Sequence, residues 1–176
     1  MNNLISLKNI KNKGFTMVET LVAVAILMIS IAGPLTIAQK GLTAAIYARD
    51  QVIASFLAQD AMEFLKNVRD NNIILGLSFL DGMRLCLTGN RCTVDTTPLA
   101  ISPIAGANDT KLYNDDAGYK TSGINATQFS RNFYLKNINP ATGLANEATI
   151  VVEVAWSNGT VQNIVSLEDQ IFNIVR

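Results

Sequence analysis

The pattern of hydrophobic and polar residues begins with one long apolar run. Between Glu19 and Lys40, 20 consecutive residues carry no charge. As an α-helix they would span roughly 30 Å, the thickness of the hydrocarbon core of a bilayer. Lys8, Lys11 and Lys13 precede the run, and no acidic residue accompanies them. We therefore expect one membrane pass, with the N-terminus in the cytoplasm and the rest of the chain exported.

The next stretch, residues 41–70, is amphipathic. Its large apolar residues recur at helical spacing, which predicts that the helix continues and packs one face on a core: the stripe is Leu42, Ile46, Ile53, Leu57, Phe64 and Val68. Charged residues such as Arg49, Asp50 and Asp60 lie mostly off this stripe. We expect a single helix over residues 15–70, ended by Asp70-Asn71-Asn72, whose side chains compete for backbone hydrogen bonds.

The remainder, residues 71–176, is predicted to be a small globular head. Residues 71–128 are rich in Gly, Asn, Asp, Thr, Ser and Pro, which favours irregular structure. Residues 129–176 alternate apolar and polar positions and predict antiparallel strands, with Ile150, Val152, Val154 and Trp156 on one face. Asn158-Gly159 is a typical two-residue hairpin turn. The predicted fold class is α+β, a long N-terminal helix packed on a small C-terminal antiparallel sheet.

Composition excludes most other classes of protein. The chain has 14 basic and 14 acidic side chains and no histidine, so the usual general base and the commonest metal ligand are missing. No P-loop, GxGxxG, GxSxG or SxxK motif is present, and we expect neither an enzyme nor a cofactor. Without the basic residues 1–14, 11 basic and 14 acidic side chains would remain, which argues against direct nucleic-acid binding. A local basic patch around Arg84, Arg91 and Arg131 is the alternative. Asn114-Asp115-Asp116 is interpreted as a solvated turn rather than a calcium site, since no EF-hand spacing follows.

The two cysteines, Cys86 and Cys92, flank the short segment LTGNR. An exported domain lies in an oxidising compartment, so we expect an intrachain disulfide that closes a small loop. Free thiols or an intermolecular bridge are the alternatives. No CxxC spacing accompanies the pair, which predicts a structural and not a redox role.

Glu19 is the unusual residue of the N-terminal region, because it stands at the start of the apolar run. A plain signal anchor would account for the hydropathy, with Glu19 in the headgroup layer. Burial of a carboxylate within a membrane costs several kcal/mol, so a carboxylate at such a position suggests a functional role. It would need a cationic partner, which Phe15 could supply if cleavage after Gly14 freed its α-amine.

The stretch Lys13-Gly14-Phe15-Thr16-Met17-Val18-Glu19, followed by about twenty apolar residues, resembles the prepilin signature of type IV pilins and type II secretion pseudopilins. The resemblance implies cleavage of a basic leader, residues 1–14, between Gly14 and Phe15 by a membrane prepilin peptidase. It also implies N-methylation of Phe15, and pairing of Glu19 with the Phe15 ammonium of a neighbouring subunit. Residues 15–40 would then be the transmembrane and filament-core helix.

Further implications of the resemblance concern assembly and partners. Pro34 lies where related pilins carry a proline at which the helix loosens during assembly. Ala54-x-x-Leu57-Ala58-x-x-Ala61-Met62-Glu63 resembles a stretch of minor pilins and minor pseudopilins. The expected partners are other pilin or pseudopilin subunits, the prepilin peptidase, an inner-membrane assembly platform and membrane lipid. The favoured function is a minor pilus subunit; the alternatives are a minor pseudopilin and, less favoured, a signal-anchored surface protein or adhesin.

Overall fold

The computed structural model of the chain describes residues 14–86, 90–96, 99–106, 110–115, 118–137, 146–159 and 161–173. Of the leader expected at residues 1–14, all but Gly14 lies outside the described residues. One helix, α1, spans Met17–Ile74. Seven strands follow: β1 Cys92–Thr96, β2 Leu99–Pro103, β3 Lys111–Asp115, β4 Gly118–Lys120, β5 Ala126–Lys136, β6 Glu147–Asn158 and β7 Val161–Phe172. The expected combination of a long N-terminal helix and an antiparallel sheet is confirmed.

The chain divides into two compact units, Met1–Ala45 and Ile46–Arg176. In the first unit, every described side chain is exposed. A 58-residue helix that contains so long an exposed apolar run differs from the helices of soluble domains, which bury at least one apolar face. The apolar segment is therefore built to meet a non-aqueous environment or another chain.

In the second unit, α1 buries a stripe of small and medium-sized side chains. The stripe is Ala54, Leu57, Ala58, Ala61, Met62 and Leu65, all 5% exposed or less. The predicted stripe is confirmed in its second part: Leu57 is buried, and Ile53, Phe64 and Val68 are half-buried and pack against the core. It was wrong for Leu42 and Ile46, which are exposed. Three members of the buried stripe are alanines, which belong to the same core cluster as the buried residues of the sheet.

The helix ends four residues later than predicted. Gly76 adopts a φ of 71°, and its N–H donates to the carbonyl of Ile73 while the N–H of Leu77 donates to the carbonyl of Asn72. These two bonds are a Schellman motif, which requires a residue with positive φ directly after the helix and is best made by glycine. Asn72, expected to stop the helix, is instead a buried helical residue whose amide donates to the carbonyl of Asp81 at 2.9 Å.

The three long strands β5, β6 and β7 form the regular part of the sheet. β6 pairs with β5 over eight positions and with β7 over twelve, without a break in register. The predicted buried face of β6 is confirmed, since Ile150, Val152, Val154 and Trp156 are each 2% exposed or less. The hairpin is shifted by one residue from the prediction. Its last pair is Asn158 with Val161, and Gly159, with φ 71°, is the first loop residue.

The region expected to be irregular, residues 71–128, was predicted wrongly in part. It contains β1, β2, β3 and β4, which continue the sheet from the other edge of β5. These strands are three to five residues long, and the turn residues between them dominate the local composition. In strands this short, apolar and polar residues alternate only two or three times, so the alternation cannot be distinguished from the flanking turn residues.

Candidate functional site

The first candidate site is the start of α1. Gly14, Phe15 and Thr16 precede the helix in irregular conformation, and Phe15 is 74% exposed. Thr16 is the N-cap: its hydroxyl accepts the backbone N–H of Glu19 at 3.3 Å. The Gly14–Phe15 peptide bond thus lies outside the helix.

Glu19 lies in the first turn of α1, with its side chain exposed. Thr16-x-x-Glu19 is the sequence of a capping box, in which a threonine N-cap and a glutamate three residues on serve the unpaired N–H groups of the first turn. A carboxylate there also interacts favourably with the positive end of the helix dipole. Sequence reasoning found Glu19 but missed the capping role of Thr16, although the threonine–glutamate spacing carries that signal.

The apolar segment after Glu19 meets the requirements of a lipid environment. Within α1, an 18-residue window has a mean hydropathy of 2.4 and none of it is buried within the chain. Its hydroxyl groups donate to carbonyls of their own helix, so none needs water: Thr20 to Met17 at 2.8 Å, Ser30 to Leu27 at 2.8 Å and Thr36 to Ala32 at 2.9 Å. By length and composition this helix can cross a membrane.

Pro34 lies inside the continuous helix. It has no N–H to donate to the carbonyl four residues earlier, and its ring crowds the preceding turn. Gly33 precedes it, and a Cβ at Gly33 would have no heavy atom within 4 Å, so that glycine is not required by packing within the chain. The Gly33-Pro34 pair is therefore a locally weakened point in a helix that is otherwise fully hydrogen-bonded.

The predicted disulfide between Cys86 and Cys92 is confirmed. Both cysteines are buried, at 1% and 0% exposure. Each lies against β5, because the carbonyl of Cys86 accepts the N–H of Leu135 at 2.7 Å and Cys92 pairs in register with Phe133. The bond fastens a short loop to the centre of the sheet and is inaccessible to solvent, as a structural disulfide should be.

The second unit contains two buried charges, Asp50 and Arg131, both of which sequence reasoning placed at the surface. Asp50, expected on the solvated face of the helix, is 1% exposed, and its Oδ1 accepts two hydrogen bonds from Arg49, at 2.9 and 3.1 Å. Burial acts to raise the pKa of Asp50, but the Arg49 guanidinium, together with the polar side chains of Gln128 and Asn158 nearby, outweighs it and holds the pKa below its ordinary value. Its other oxygen, Oδ2, is buried without a hydrogen-bond partner among the described residues.

Arg131 is the second buried charge and is fully enclosed. Its guanidinium donates to the carbonyls of Leu57 at 3.1 Å and Val94 at 2.9 Å, and to Asp60 Oδ2 at 2.9 Å. Burial lowers the pKa of Arg131, while the carboxylates of Asp60 and Asp95 counteract part of that shift. Its place on the buried face of β5 follows from alternation with Phe129 and Phe133, but an arginine in that pattern gives no sign of being enclosed.

The described residues offer no metal centre: no group of three or more His, Cys, Asp or Glu side chains lies together among them. In the proposed turn at Asn114-Asp115-Asp116, Asp115 pairs with Lys120 at 3.0 Å across the β3–β4 hairpin, while Asp116 lies outside the described residues. The Asp115 carboxylate is therefore accounted for by its ion pair with Lys120, without a bound metal.

The comparison with known families agrees with the geometry at the start of α1. Residues 9–33 match the family described as the prokaryotic N-terminal methylation motif. No curated protein and no solved structure matches the chain. The matched segment holds Gly14, Phe15, Glu19 and most of the apolar run. The chain therefore carries the type IV prepilin signature at its N-terminus, directly before a helix that is apolar and long enough to cross a membrane.

Proposed function

We propose that the chain is a minor structural subunit of a type IV pilus, matured by cleavage between Gly14 and Phe15 and by N-methylation of Phe15. The observation that carries the proposal is the match of residues 9–33 to the methylation motif. The structure supports it, since the cleavage point precedes the helix and an exposed apolar helix follows directly.

Glu19 is proposed to select the incoming subunit. In a bundle of apolar helices a carboxylate is tolerated only beside a cation with good hydrogen-bonding geometry. Cleavage after Gly14 creates such a cation, the ammonium group of Phe15. Phe15 precedes Glu19 by one helical turn, so a neighbour displaced by about one turn along the bundle brings its ammonium to the Glu19 carboxylate.

The membrane-inserted precursor is proposed to span the inner membrane once, with its N-terminus in the cytoplasm. The basis is the charge asymmetry, because Lys8, Lys11 and Lys13 precede the apolar segment. The exported head is consistent with a buried disulfide, which forms in oxidising compartments. The prepilin peptidase and the assembly platform would act on this inserted form.

Pro34 is proposed to mark where the helix loosens as the subunit leaves the bilayer. A missing backbone hydrogen bond lowers the cost of opening one turn. Within the filament, that turn can lengthen and let the helix adapt to its neighbours.

The same motif also occurs in pseudopilins, and the site of accumulation separates the two systems. A pilus subunit is recovered from filaments sheared off the cell surface. A pseudopilin stays with the cell envelope, and its deletion abolishes secretion of exported enzymes.

The primary experiment is the intact mass and N-terminal residue of the chain extracted from membranes after co-expression with a prepilin peptidase. We expect a chain that begins at N-methyl-Phe15. The variant Gly14→Val should retain the leader, because the peptidase needs a small residue there, while Gly41→Val, outside the motif, should be processed normally. A chain that still begins at Met1, beside an authentic pilin that is cut, would reduce the protein to a plain signal-anchored one.

A further inference from the structure

A groove of about 460 Å³ runs beside α1 in the second unit. It is bordered by α1 on one side and by β1 and β4 on the other, and its side chains are those of Ile53, Phe56, Leu57, Asp60, Thr96 and Tyr119. Four of these six side chains are apolar or aromatic, and two are polar. Ligand sites in proteins are usually clefts of roughly 300–1,000 Å³ with mostly apolar walls and a few polar groups. We call this cleft the Asp60 groove.

Asp60 supplies the charged group of the Asp60 groove. Its side chain is 50% exposed. Oδ2 accepts hydrogen bonds from Arg131 at 2.9 Å and from the Thr96 hydroxyl at 3.1 Å, whereas Oδ1 accepts none from the described residues. An ionised carboxylate has about four acceptor positions on its two oxygens. One oxygen of Asp60 therefore remains open to a donor that enters the groove from outside.

The charges around this carboxylate do not cancel. The buried guanidinium of Arg131 is shared by two aspartates, Asp60 and Asp95. Two negative charges therefore surround one positive charge, which leaves a net charge of −1. No described residue that lines the groove is a lysine or an arginine. Because complementary charge attracts a ligand and like charge excludes it, the groove favours a cationic ligand.

Two aromatic rings line the same groove. Tyr119 is held edge-on against Phe129, with 6.4 Å between the ring centres, and Phe56 is 66% exposed on α1. Aromatic faces attract organic cations, and the aliphatic stem of a lysine or arginine packs on apolar surface while its charged head stays outside it. A carboxylate beside aromatic rings therefore fits a ligand that has a cationic head on an apolar stem.

The apolar surface continues beyond the Asp60 groove. Phe56 also lines a second groove of about 250 Å³, together with Gln51, Val52, Ser55 and Gln59. Val52 is 54% exposed. A free amine would occupy the first groove and leave this adjoining surface in water. A polypeptide that carries an apolar residue next to its cation would cover both sides of the Phe56 ring.

We propose that the Asp60 groove binds a lysine or arginine side chain of another polypeptide, whose neighbouring apolar residue packs on Phe56 and Val52. The cationic head donates a hydrogen bond to Asp60 Oδ1, and its stem lies along Ile53 and Tyr119. The N-terminal methylation motif takes no part in this contact. This proposal and the proposed function can consequently fail independently.

Calorimetric titration of the full chain in non-ionic detergent micelles tests the chemistry of the ligand. The probes are a blocked tripeptide with lysine between two valines, its analogue with norleucine in place of lysine, and n-hexylamine, and each is also titrated into empty micelles. We expect the lysine peptide to bind at least about tenfold more tightly than either other probe, because only this peptide combines the charge with apolar neighbours. Its affinity should fall as the salt concentration rises.

Paired variants test the location of the site. Phe56→Ser should weaken binding of the lysine peptide about tenfold, whereas the same change at Phe172, an exposed residue of β7, should leave it unchanged. Thr96→Lys tethers an ammonium group beside Asp60 and should abolish binding, while Thr96→Val removes the hydroxyl without adding a charge and should retain it. Equal binding of the lysine and norleucine peptides, equally tight binding of hexylamine, or unchanged affinity in Thr96→Lys would overturn the proposal.

Discussion

Arg131 and Asp60 form an ion pair whose two partners differ sharply in exposure. Arg131 Nη1 and Asp60 Oδ2 are 2.9 Å apart; the arginine side chain is fully buried, and the aspartate side chain is 50% exposed. The guanidinium crosses the interior of the second unit to join β5 to the helix and to β1. Asp60 accepts a hydrogen bond from the Arg131 guanidinium at the surface. Because Asp60 itself stays in contact with water, only one of the two charges has to be desolvated.

Replacement of Arg131 should therefore be among the most damaging single changes in the second unit. Arg131→Ala removes one hydrogen bond each from the carbonyls of Leu57 and Val94 and the ion pair with Asp60, and should lower the free energy of unfolding by about 3–5 kcal/mol. Arg131→Lys keeps the charge but cannot reach all three acceptors, so its loss should be smaller. Urea denaturation of the full chain in detergent, followed by circular dichroism, measures both. Equal stability of Arg131→Ala and the unaltered chain would contradict this role.

Substitution of Glu19 should separate processing from assembly. We expect Glu19→Gln, which leaves the Thr16 cap in place, to be cleaved normally but to be depleted at least about tenfold from sheared filaments, because a buried ammonium without its carboxylate costs several kcal/mol. Glu63→Gln, an exposed position on the same helix, is the control. Normal recovery of Glu19→Gln in filaments would show that the charge is not used.

Asp50 should make the second unit less stable in acid. The pKa of Asp50 is lower in the folded chain than its ordinary value, so its stabilising contribution is complete above the unfolded value, about 3.9, and is lost as the pH falls through the lower folded value. Asp50→Asn should cost about 1–2 kcal/mol at neutral pH and flatten the acid limb of the stability curve. Asp70→Asn, at an aspartate that is 51% exposed and also paired with the arginine before it, is the matched control for the substitution.

Removal of the disulfide should weaken the second unit without unfolding it outright. The double variant Cys86→Ala/Cys92→Ala should lose about 2–3 kcal/mol, the loop-closure contribution of so short a ring. The midpoint of thermal unfolding, compared with that of the unaltered chain before and after reduction, checks this value. If reduction of the unaltered chain had no effect on its midpoint, the predicted contribution would be absent.

Pro34→Ala should restore one backbone hydrogen bond and stabilise the helix locally, by up to about 3 kcal/mol. If the helix must loosen there on leaving the bilayer, the variant should accumulate in the membrane and enter filaments slowly. The ratio of membrane-bound to sheared subunit over time measures this. An unchanged ratio would remove Pro34 from the assembly mechanism.

The parts of the fold that follow from sequence are those with long, uninterrupted patterns. The apolar run after Glu19 and the alternation of Ile150, Val152, Val154 and Trp156 each extend over enough residues for one period to dominate. The helix stripe was harder to place because three of its buried residues, Ala54, Ala58 and Ala61, are alanines, which contribute little to any hydrophobic pattern. The short strands β1–β4 are obscured by the turns between them.

The residues of the candidate sites likewise fall into those that could be identified from sequence and those that could not. Glu19 and the Gly14–Phe15 bond could be singled out from sequence because both belong to one short contiguous motif, residues 13–19, that stands directly before the apolar run. The roles of Asp50 and Arg131 depend on partners from other elements, such as Asn158 for the first and Val94 for the second, which no local pattern encodes. The end of α1 depended on Gly76, whose positive φ becomes evident only once the backbone is known.

The Cys86–Cys92 bond has a consequence for proteolysis outside the cell. Arg91, whose side chain is 47% exposed, lies inside the loop that the bond closes, directly before Cys92. A trypsin-like enzyme that cuts after Arg91 opens the loop but leaves its two ends joined through sulfur. The new N-terminus at Cys92 is still held against Phe133 in the sheet, and the carbonyl of Cys86 still accepts from Leu135. A head nicked at this loop therefore remains one covalent piece and keeps the strand that begins there.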